Sequence, residues 1–401
     1  MHIFDKYIGF ASAIFPTSTI KRALLLISCV AAGFIYADAC TSAIISASAS
    51  ASGRPMLWKH RDTSNTDNKV EYVAAGADGG FSYVALFNAD DSRLAEAWTG
   101  MNEVGFAVMN TASYNIKNDR VPQRKMDREG YVMTIALRTC RTVDDFQRLL
   151  DTLPRPMGVE ANFGVIDATG DGAFFETNND SYVKFPLSDA PGGVLVRTNY
   201  SHSGRPDEGY GFIREANANH LLAPHVKGAD LTPEFLTETV SRSFYHDVRG
   251  EDALLQPQRW AVDEDFIPRY KSTATIVIEG CRPVKDIADA TPDFIIPQYI
   301  MWTGLGYPPC AEIYPVWCHA KGVDDALRGT AAKGHSPAAD LARARRSEVF
   351  PHKKGGNSKY IDTRVLANAE GTGYLQTLVP RNLETYATFK RKRDNGDIHF
   401  D

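Results

Sequence analysis

The junction Ala39–Cys40 is where the chain could begin its chemistry. The sequence there reads Tyr36-Ala-Asp-Ala39-Cys40-Thr41. A cut after Ala39 would leave a cysteine that carries a thiol and a free α-amine on one residue. An unperturbed thiol has a pKa near ~8.5 and an α-amine one near ~7.7–8.0, so close to neutral pH the amine can act as the thiol's base. A thiolate made in this way attacks carbonyl carbon, and an amide is the substrate class it would open. Water or an acceptor amine would then resolve the thioester.

The residues before the junction are laid out to direct such a cut. The apolar run Ala23 to Tyr36 follows the basic pair Lys21-Arg22 and ends at small residues spaced Ala37-x-Ala39. That is the pattern of a secretory signal peptide over residues 1–39, removed by signal peptidase on export to the periplasm or the medium. The basic region from Met1 to Arg22 is long, so translation from a later start (residues 1–20 an over-long beginning) fits equally. The run is shorter than the roughly 20 residues of a membrane span. Two other readings stay open. A lipoprotein signal also ends at a cysteine, which would tether a non-catalytic ligand-binding protein at Cys40, although such signals favour a larger aliphatic residue at Ala37 and a small neutral one at Asp38. The other is a plain exported protein whose first residue happens to be cysteine.

Removal of residues 1–39 would leave 362 of the 401 residues, enough for one large domain with a substantial core. The full chain has 44 basic and 49 acidic residues; three basic and two acidic ones would leave with the signal, for a net charge of −6. Such mild acidity gives no reason to expect nucleic acid as a partner, and the run Lys390-Arg-Lys-Arg393 reads as a solvated face. Of six cysteines, Cys29 falls in the signal and Cys40 must stay free to react. Cys140, Cys281, Cys310 and Cys318 are an even number for an oxidising compartment, so one or two disulfides are expected, Cys310 to Cys318 closing the shortest loop. Cys318-His319 has no second Cys/His pair at zinc spacing, so no metal and no cofactor is expected.

The elements that must position Cys40 begin immediately after it. Thr41 to Ser46 opens a strand, Ser52-Gly-Arg-Pro55 turns it, and Met56-Leu-Trp-Lys-His-Arg-Asp62 returns it, which brings residues near 60 back beside Cys40. Short β segments are predicted at Glu71–Ala75, Phe81–Phe87, Ala95–Thr99 and Gly105–Asn110, in the manner of an antiparallel meander. Tyr131–Thr139 is predicted helical. Thr142 is placed to cap a second helix with Asp144 and Asp145 in its first turn and Val143, Phe146, Leu149, Leu150 and Leu153 as its stripe, stopped by Pro154. Phe163–Ile166 and Ala173–Thr177 make a second hairpin, and Gly193–Thr198 and Ser272–Glu279 are strands. Tyr210–Leu222 and Pro233–Val248 read as helices, residues 295–317 as a broken, aromatic-rich β region, and residues 323–392 as mainly helical. Two groups of strands with segregated helices make the fold class α+β.

Rival catalytic signatures are absent. There is no Walker loop, no Gly-x-Ser-x-Gly elbow and no His-x-x-x-His pair among the ten histidines. His60-Arg-Asp62 matches part of a kinase catalytic loop, but Asn68 falls at the wrong spacing.

Cys40-Thr41 opening a strand, followed by Gly53-Arg-Pro-Met-Leu-Trp-Lys-His-Arg-Asp62, resembles the start of the choloylglycine hydrolase family. With its penicillin-acylase and peptidase-C45-like acyltransferase relatives, that family belongs to the N-terminal-nucleophile (Ntn) hydrolases. Gly105-Phe-Ala-Val-Met-Asn110, Leu195-Val-Arg-Thr-Asn199 and Gly211-Phe-Ile-Arg214 extend the resemblance over residues 40–215. It implies a four-layer αββα sandwich with two mainly antiparallel sheets. It also implies roles: Cys40 the nucleophile, Asp62 the carboxylate that holds its amine, Asn110 a lining of the oxyanion site, Asn199 a side-chain donor to the oxyanion, and Arg214 the late arginine. Three residues before the aspartate the family usually has arginine; here that place holds Lys59, with Arg61 two residues on. Two residues apart on a strand share a face, so either cation could stabilise the thiolate, but lysine lacks arginine's planar two-pronged contact.

The expected protein is therefore an exported cysteine hydrolase of a linear, non-peptide small-molecule amide: an acyl amide, a bile-acid conjugate or a penicillin-V-like compound. Residues 40–401 would form one domain, with residues 323–401 its C-terminal part. Acyl transfer to an amine is the nearest alternative. The acyl group, the leaving amine and the oligomeric state, a homo-oligomer included, stay open.

Overall fold

The hairpin at the start of the chain lies inside a sheet and not at its edge. In the computed structural model, which describes residues 40–400 apart from 78, 118, 119, 356, 357 and 399, β1 (Thr41–Ile45) and β2 (Met56–Asp62) pair antiparallel. The expected signal peptide, residues 1–39, lies outside the described residues. The chain then builds a meander of seven antiparallel neighbours: β3 (Asn68–Val73), β4 (Tyr83–Asn88), β5 (Thr99–Asn102), β6 (Ala107–Ala112), β7 (Ala161–Ile166), β8 (Gly172–Thr177) and β9 (Tyr182–Pro186). It returns to the first sheet as β10 (Val194–Arg197), beside β1. A two-residue pair, β11 (Tyr245–His246) with β12 (Glu251–Asp252), and β13 (Trp260–Val262) precede the last three strands of that sheet. These are β14 (Ser272–Glu279), β15 (Ile300–Leu305) and β16 (Tyr314–Val316), so the strand order is β10-β1-β2-β14-β15-β16. β17 (His352–Gly355) and β18 (Ser358–Asp362) join β13 in a separate three-stranded sheet. The class is mixed α and β with antiparallel sheets, as expected.

Alternation along the strands sorts the apolar residues into three cores. Ile44, Leu57, Ile276 and Met301 of the first sheet pack with Val84, Ala107, Met109 and Phe174 of the second. The other face of the second sheet, with Phe87, Phe106, Val108 and Phe163, is covered by helices α1 (Glu129–Thr139) and α2 (Val143–Thr152) through Met133, Leu137, Phe146 and Leu150. Thr142 caps α2 in a reciprocal box with Asp145, as its sequence position suggested. The other face of the first sheet, with Ala43, Ile45, Trp58 and Val277, meets Ala218 and Leu222 of α3 (Phe212–Gly228). α4 (Pro337–Val349) adds Ala338 and Ala339 to the first core and Val349 to a fourth cluster with Phe244, Phe266 and Ile361, and α5 (Tyr374–Asp394) adds Tyr386 and Phe389 to the third core.

Four expectations need correction. Residues 233–248 are not one helix: a π-turn at Phe235–Thr239 and a 3-10 turn at Val240–Arg242 lead into β11. Ser241 accepts the Trp58 indole N–H at 2.9 Å and Arg242 donates to the Ala311 carbonyl at 2.9 Å, tertiary bonds that compete with a regular helical ladder. The strand sought at Ala95–Thr99 is Thr99–Asn102, because Ala97 is held by the Thr134 hydroxyl of α1 instead of by a neighbouring strand. Residues 323–392 include β17 and β18, whose partner β13 lies about a hundred residues earlier and leaves no local trace. Finally, Cys140, Cys281, Cys310 and Cys318 are all free and buried. Cys140 and Cys310 sit in two separate apolar clusters and Cys281 and Cys318 in a third, so Cys310 is apart from Cys318 and all four are held as small core residues.

Candidate active site

Register brings Cys40 to a line of ionisable groups. Ser42 is opposite Arg197 on β10 and opposite Lys59 on β2. Two residues back along each antiparallel pairing, Cys40 therefore falls between Asn199 on one side and Arg61 on the other. All seven residues of β2 are buried, including Lys59, His60, Arg61 and Asp62. Four consecutive ionisable side chains in a central strand are costly unless each finds partners, and they find them on opposite faces.

Lys59 and Arg61 point with Leu57 toward the second sheet. Lys59 Nζ donates to the Trp98 carbonyl at 2.6 Å and to Asn110 Oδ1 at 2.8 Å. The Arg61 guanidinium bonds the side chains of Asn68 and Asn88 and lies over the Trp98 ring. Asp62 and His60 point the other way. Asp62 Oδ2 accepts from Arg269 Nη2 at 2.6 Å and from Arg269 Nε at 3.1 Å, and Asp62 Oδ1 accepts from the Ser272 hydroxyl at 2.6 Å. His60 Nε2 lies 2.8 Å from Ser272 Oγ and 3.5 Å from Asp62. Burial holds the His60 imidazole well below its usual value, to about 4, against the opposing pull of Asp62.

Cys40 itself is 6% exposed. Its N–H donates to Asn199 Oδ1 at 2.8 Å and its sulfur lies 3.9 Å from the Asp62 carbonyl. Arg214 Nη1 donates to the Cys40 carbonyl at 2.6 Å and to Thr41 Oγ1 at 3.0 Å, while its Nη2 donates to Asn199 Oδ1 at 2.9 Å. Arg214 can reach inward because α3 starts at Gly211 with φ +91°; a Cβ there would lie 2.3 Å from Arg214 Nη2. Burial in this crowded site, together with the nearby Arg269, lowers the Arg214 guanidinium to about 10. The Cys40 thiol is pushed up by burial; Lys59 is the strongest opposing charge, and Arg61 acts in the same direction more weakly.

Of the residues singled out in the sequence, Asn199, Arg214 and the Asp62 carbonyl lie against Cys40, Lys59 and Arg61 act on its thiol by charge, and Asn110 is joined to it through Lys59, but not all are in the expected contacts. The Asp62 carboxylate is engaged by Arg269 and Ser272, and among the described residues it forms no bond with the Cys40 nitrogen. The Asn199 amide donates to the Ala112 carbonyl at 2.8 Å, so its amino group is already occupied. By contrast Asn110 Nδ2 has no hydrogen-bond partner among the described residues. Arg269 and Ser272 escaped the sequence reading. Arg269 stands three residues before a strand that was legible at Ser272–Glu279, but only the strand order places it beside Asp62. Asn162 was also missed: it donates to the Thr198 carbonyl at 3.0 Å and, with Thr111, ties down the backbone that presents Asn199. No group of metal-ligating side chains occurs among the described residues.

Neither a protein-family model nor a curated protein matches the chain. Among solved structures it is similar to a Caenorhabditis elegans ortholog of N-acylethanolamine-hydrolyzing acid amidase, at 13% identity and a TM-score of 0.38, over 64% of this chain and 98% of that one. It is similar to conjugated bile acid hydrolase from Clostridium perfringens, at 10% identity and a TM-score of 0.40, over 71% and 95%. It is also similar to penicillin V acylase from Agrobacterium tumefaciens, at 12% identity and a TM-score of 0.35, over 69% and 86%. Among the described residues no helix is long and apolar enough to cross a membrane.

Proposed function

We propose that this chain is an exported cysteine hydrolase of linear amides, made active by removal of residues 1–39, in the four-layer αββα arrangement of the Ntn hydrolases. The observation that carries the reading is the clamp on Cys40: N–H to Asn199, carbonyl to Arg214, and Lys59 nearby on the thiol's side of the sheet. A structural cysteine needs none of this. A lipid-modified cysteine would have to leave this buried place, which weighs against the tether.

In this reading the freed α-amine takes the thiol proton, and the sulfur forms a bond to the amide carbonyl carbon. The carbonyl π-electrons move to oxygen. Asn110 Nδ2, the unoccupied donor, is suited to that oxyanion, and such a donor contributes on the order of 3–4 kcal/mol to the transition state. Collapse breaks the C–N bond, and the ammonium returns the proton to the departing amine. Water then attacks the thioester with the amine again as base. Lys59 lowers the cost of the thiolate in a buried site. Asp62, fixed by Arg269 and Ser272, supplies the countercharge for the ammonium form, and Asn199 and Arg214 position the nucleophile's backbone.

The test is hydrolysis by the exported protein of an N-acylethanolamine, a conjugated bile acid and penicillin V, with Cys40→Ala exported and cut in the same way. Loss of activity in the variant supports the reading; full activity would refute it. Addition of a competing amine reads whether water or amine resolves the thioester.

A further inference from the structure

The β1–β2 hairpin has two ends, and the chemistry proposed above uses one of them. At the other, the turn residues Ser52 and Arg54 line a cavity of about 330 Å³ that is shared with α5 and with the start of the segment after α3. β2 runs from this end to Asp62, a distance on the order of 20 Å at ~3.3 Å per residue. The cavity is a separate place from the nucleophile.

Its chemistry divides into a floor and a rim. The floor is aromatic and buried: Trp302 and Tyr386 lie with ring centroids 4.0 Å apart, and Phe389 meets Trp302 at 5.3 Å. The Trp302 indole N–H has no hydrogen-bond partner among the described residues. The rim carries four cations, Arg54, Arg282, Lys390 and Arg393, against two carboxylates, Glu234 and Glu279. None of the four cations pairs with either carboxylate within ion-pairing distance among the described residues; Arg393 is near only its neighbour Asp394, at 3.7 Å. Arg54 donates to the Gln298 carbonyl at 3.0 Å and makes no ion pair among the described residues. Burial holds the Arg54 guanidinium below its usual value, and although Glu279 opposes this, Arg393 and Arg282 add to it. Arg54, Arg282, Lys390 and Arg393 thus line one space with four cations against two carboxylates.

We infer that this cavity is a binding site for an anionic amphiphile, a carboxylate headgroup held by Arg54, Arg282, Lys390 and Arg393 with its hydrocarbon body on Trp302, Tyr386 and Phe389. An inorganic anion would make no use of the aromatic side chains that line the cavity, and a neutral hydrocarbon would leave the cations without an ion pair. The volume is at the lower end of the range of small-molecule sites, which suits a chain of about ten carbons more than a steroid-sized body.

Calorimetric titration of the purified protein with decanoate, 1-decanol and inorganic phosphate tests this. Decanoate is expected to bind saturably and about tenfold or more tighter than either of the others, and the double variant R54A/R393A is expected to weaken it about tenfold. Circular dichroism and the melting temperature of that variant show whether it is folded. The exposed-helix variant K390E is a second probe and should weaken decanoate in the same direction. Equal decanoate affinity in folded R54A/R393A and in K390E, or 1-decanol or phosphate binding as tightly as decanoate, would overturn the inference.

Discussion

Arg214 donates to the carbonyl oxygen of Cys40 at 2.6 Å, and so the first helix turn after Gly211 holds the backbone of the proposed nucleophile. The same guanidinium reaches Thr41 Oγ1 and Asn199 Oδ1, three acceptors set by one planar group. Lysine keeps the charge but cannot span them. Arg214→Lys should therefore lower kcat by on the order of 10- to 100-fold with a smaller change in KM, since a displacement of about 1 Å at a reacting group has that effect. Steady-state kinetics on whichever amide the protein hydrolyses would check it; a change in KM alone would contradict the positioning role.

Lys59 is the strongest charge opposing the burial of the Cys40 thiol. Replacement with methionine removes that cation from a site of similar shape. The thiol should then ionise at higher pH, and the acid limb of the kcat/KM profile should move to higher pH. A limb that stays in place would show that Lys59 serves only to bond Trp98 and Asn110.

Asp62 and Arg269 form a buried ion pair at 2.6 Å, the arginine 24% and the aspartate 0% exposed at the side chain. Burial alone would lower the Arg269 guanidinium, but Asp62, followed by Asp263 and Asp265, outweighs it and raises it. Asp62→Asn removes the strongest of these carboxylates and should cost stability, by less than the roughly 3–5 kcal/mol of a fully buried pair, since Arg269 is 24% exposed and keeps Asp263 and Asp265 near it. Adding Arg269→Gln should recover part of the stability and none of the activity. Denaturant melts beside rate measurements separate the two; recovery of activity in the double variant would remove Asp62 from the proposed chemistry.

These three residues show what the sequence could and could not disclose. Cys40, Lys59 and Asp62 were legible because they share one hairpin, whose strands and turn follow from local residue types and whose return was expected to bring residues near 60 back beside Cys40. Ser272–Glu279 was legible as a strand from its β-branched residues. Its place beside β2 was not, because pairing of strands some two hundred residues apart is set by the shared core of Leu57, Ile276 and Met301 and has no local signal. Arg269 and Ser272 were hidden for that reason, and so were the different partners of the two asparagines: only the fold shows that the Asn199 amide is taken by Ala112 while the Asn110 amino group is not. The distorted segment at 235–242 was misread for a related reason, since Trp58 and Ala311 reach it from distant parts of the chain.

Two buried groups should give stability opposite slopes with pH. His60 titrates at about 4 in the folded chain against 6.5 unfolded, so the unfolded state binds the proton first. Its contribution is present above pH 6.5 and is lost as pH falls toward 4, on the order of 3 kcal/mol. Glu129 is raised by burial from 4.5 to about 7 despite the Glu160 N–H it accepts at 2.9 Å. Its contribution is complete below pH 4.5 and is lost as pH rises through 7, by a similar order. Unfolding free energies of His60→Gln and Glu129→Gln between pH 4 and 8, each compared with the parent, should show the two slopes removed in opposite senses. Parallel curves for parent and variants would contradict the assignment.

The central claim is that export uncovers Cys40 as a thiol whose base is its own α-amine. Intact-mass analysis of the protein recovered from outside the cytoplasm tests it most directly. The account expects a mass that starts at Cys40 with an unmodified sulfur and a free amine. A chain that starts at any other residue, or a Cys40 whose nitrogen is blocked or whose sulfur carries lipid, would contradict it.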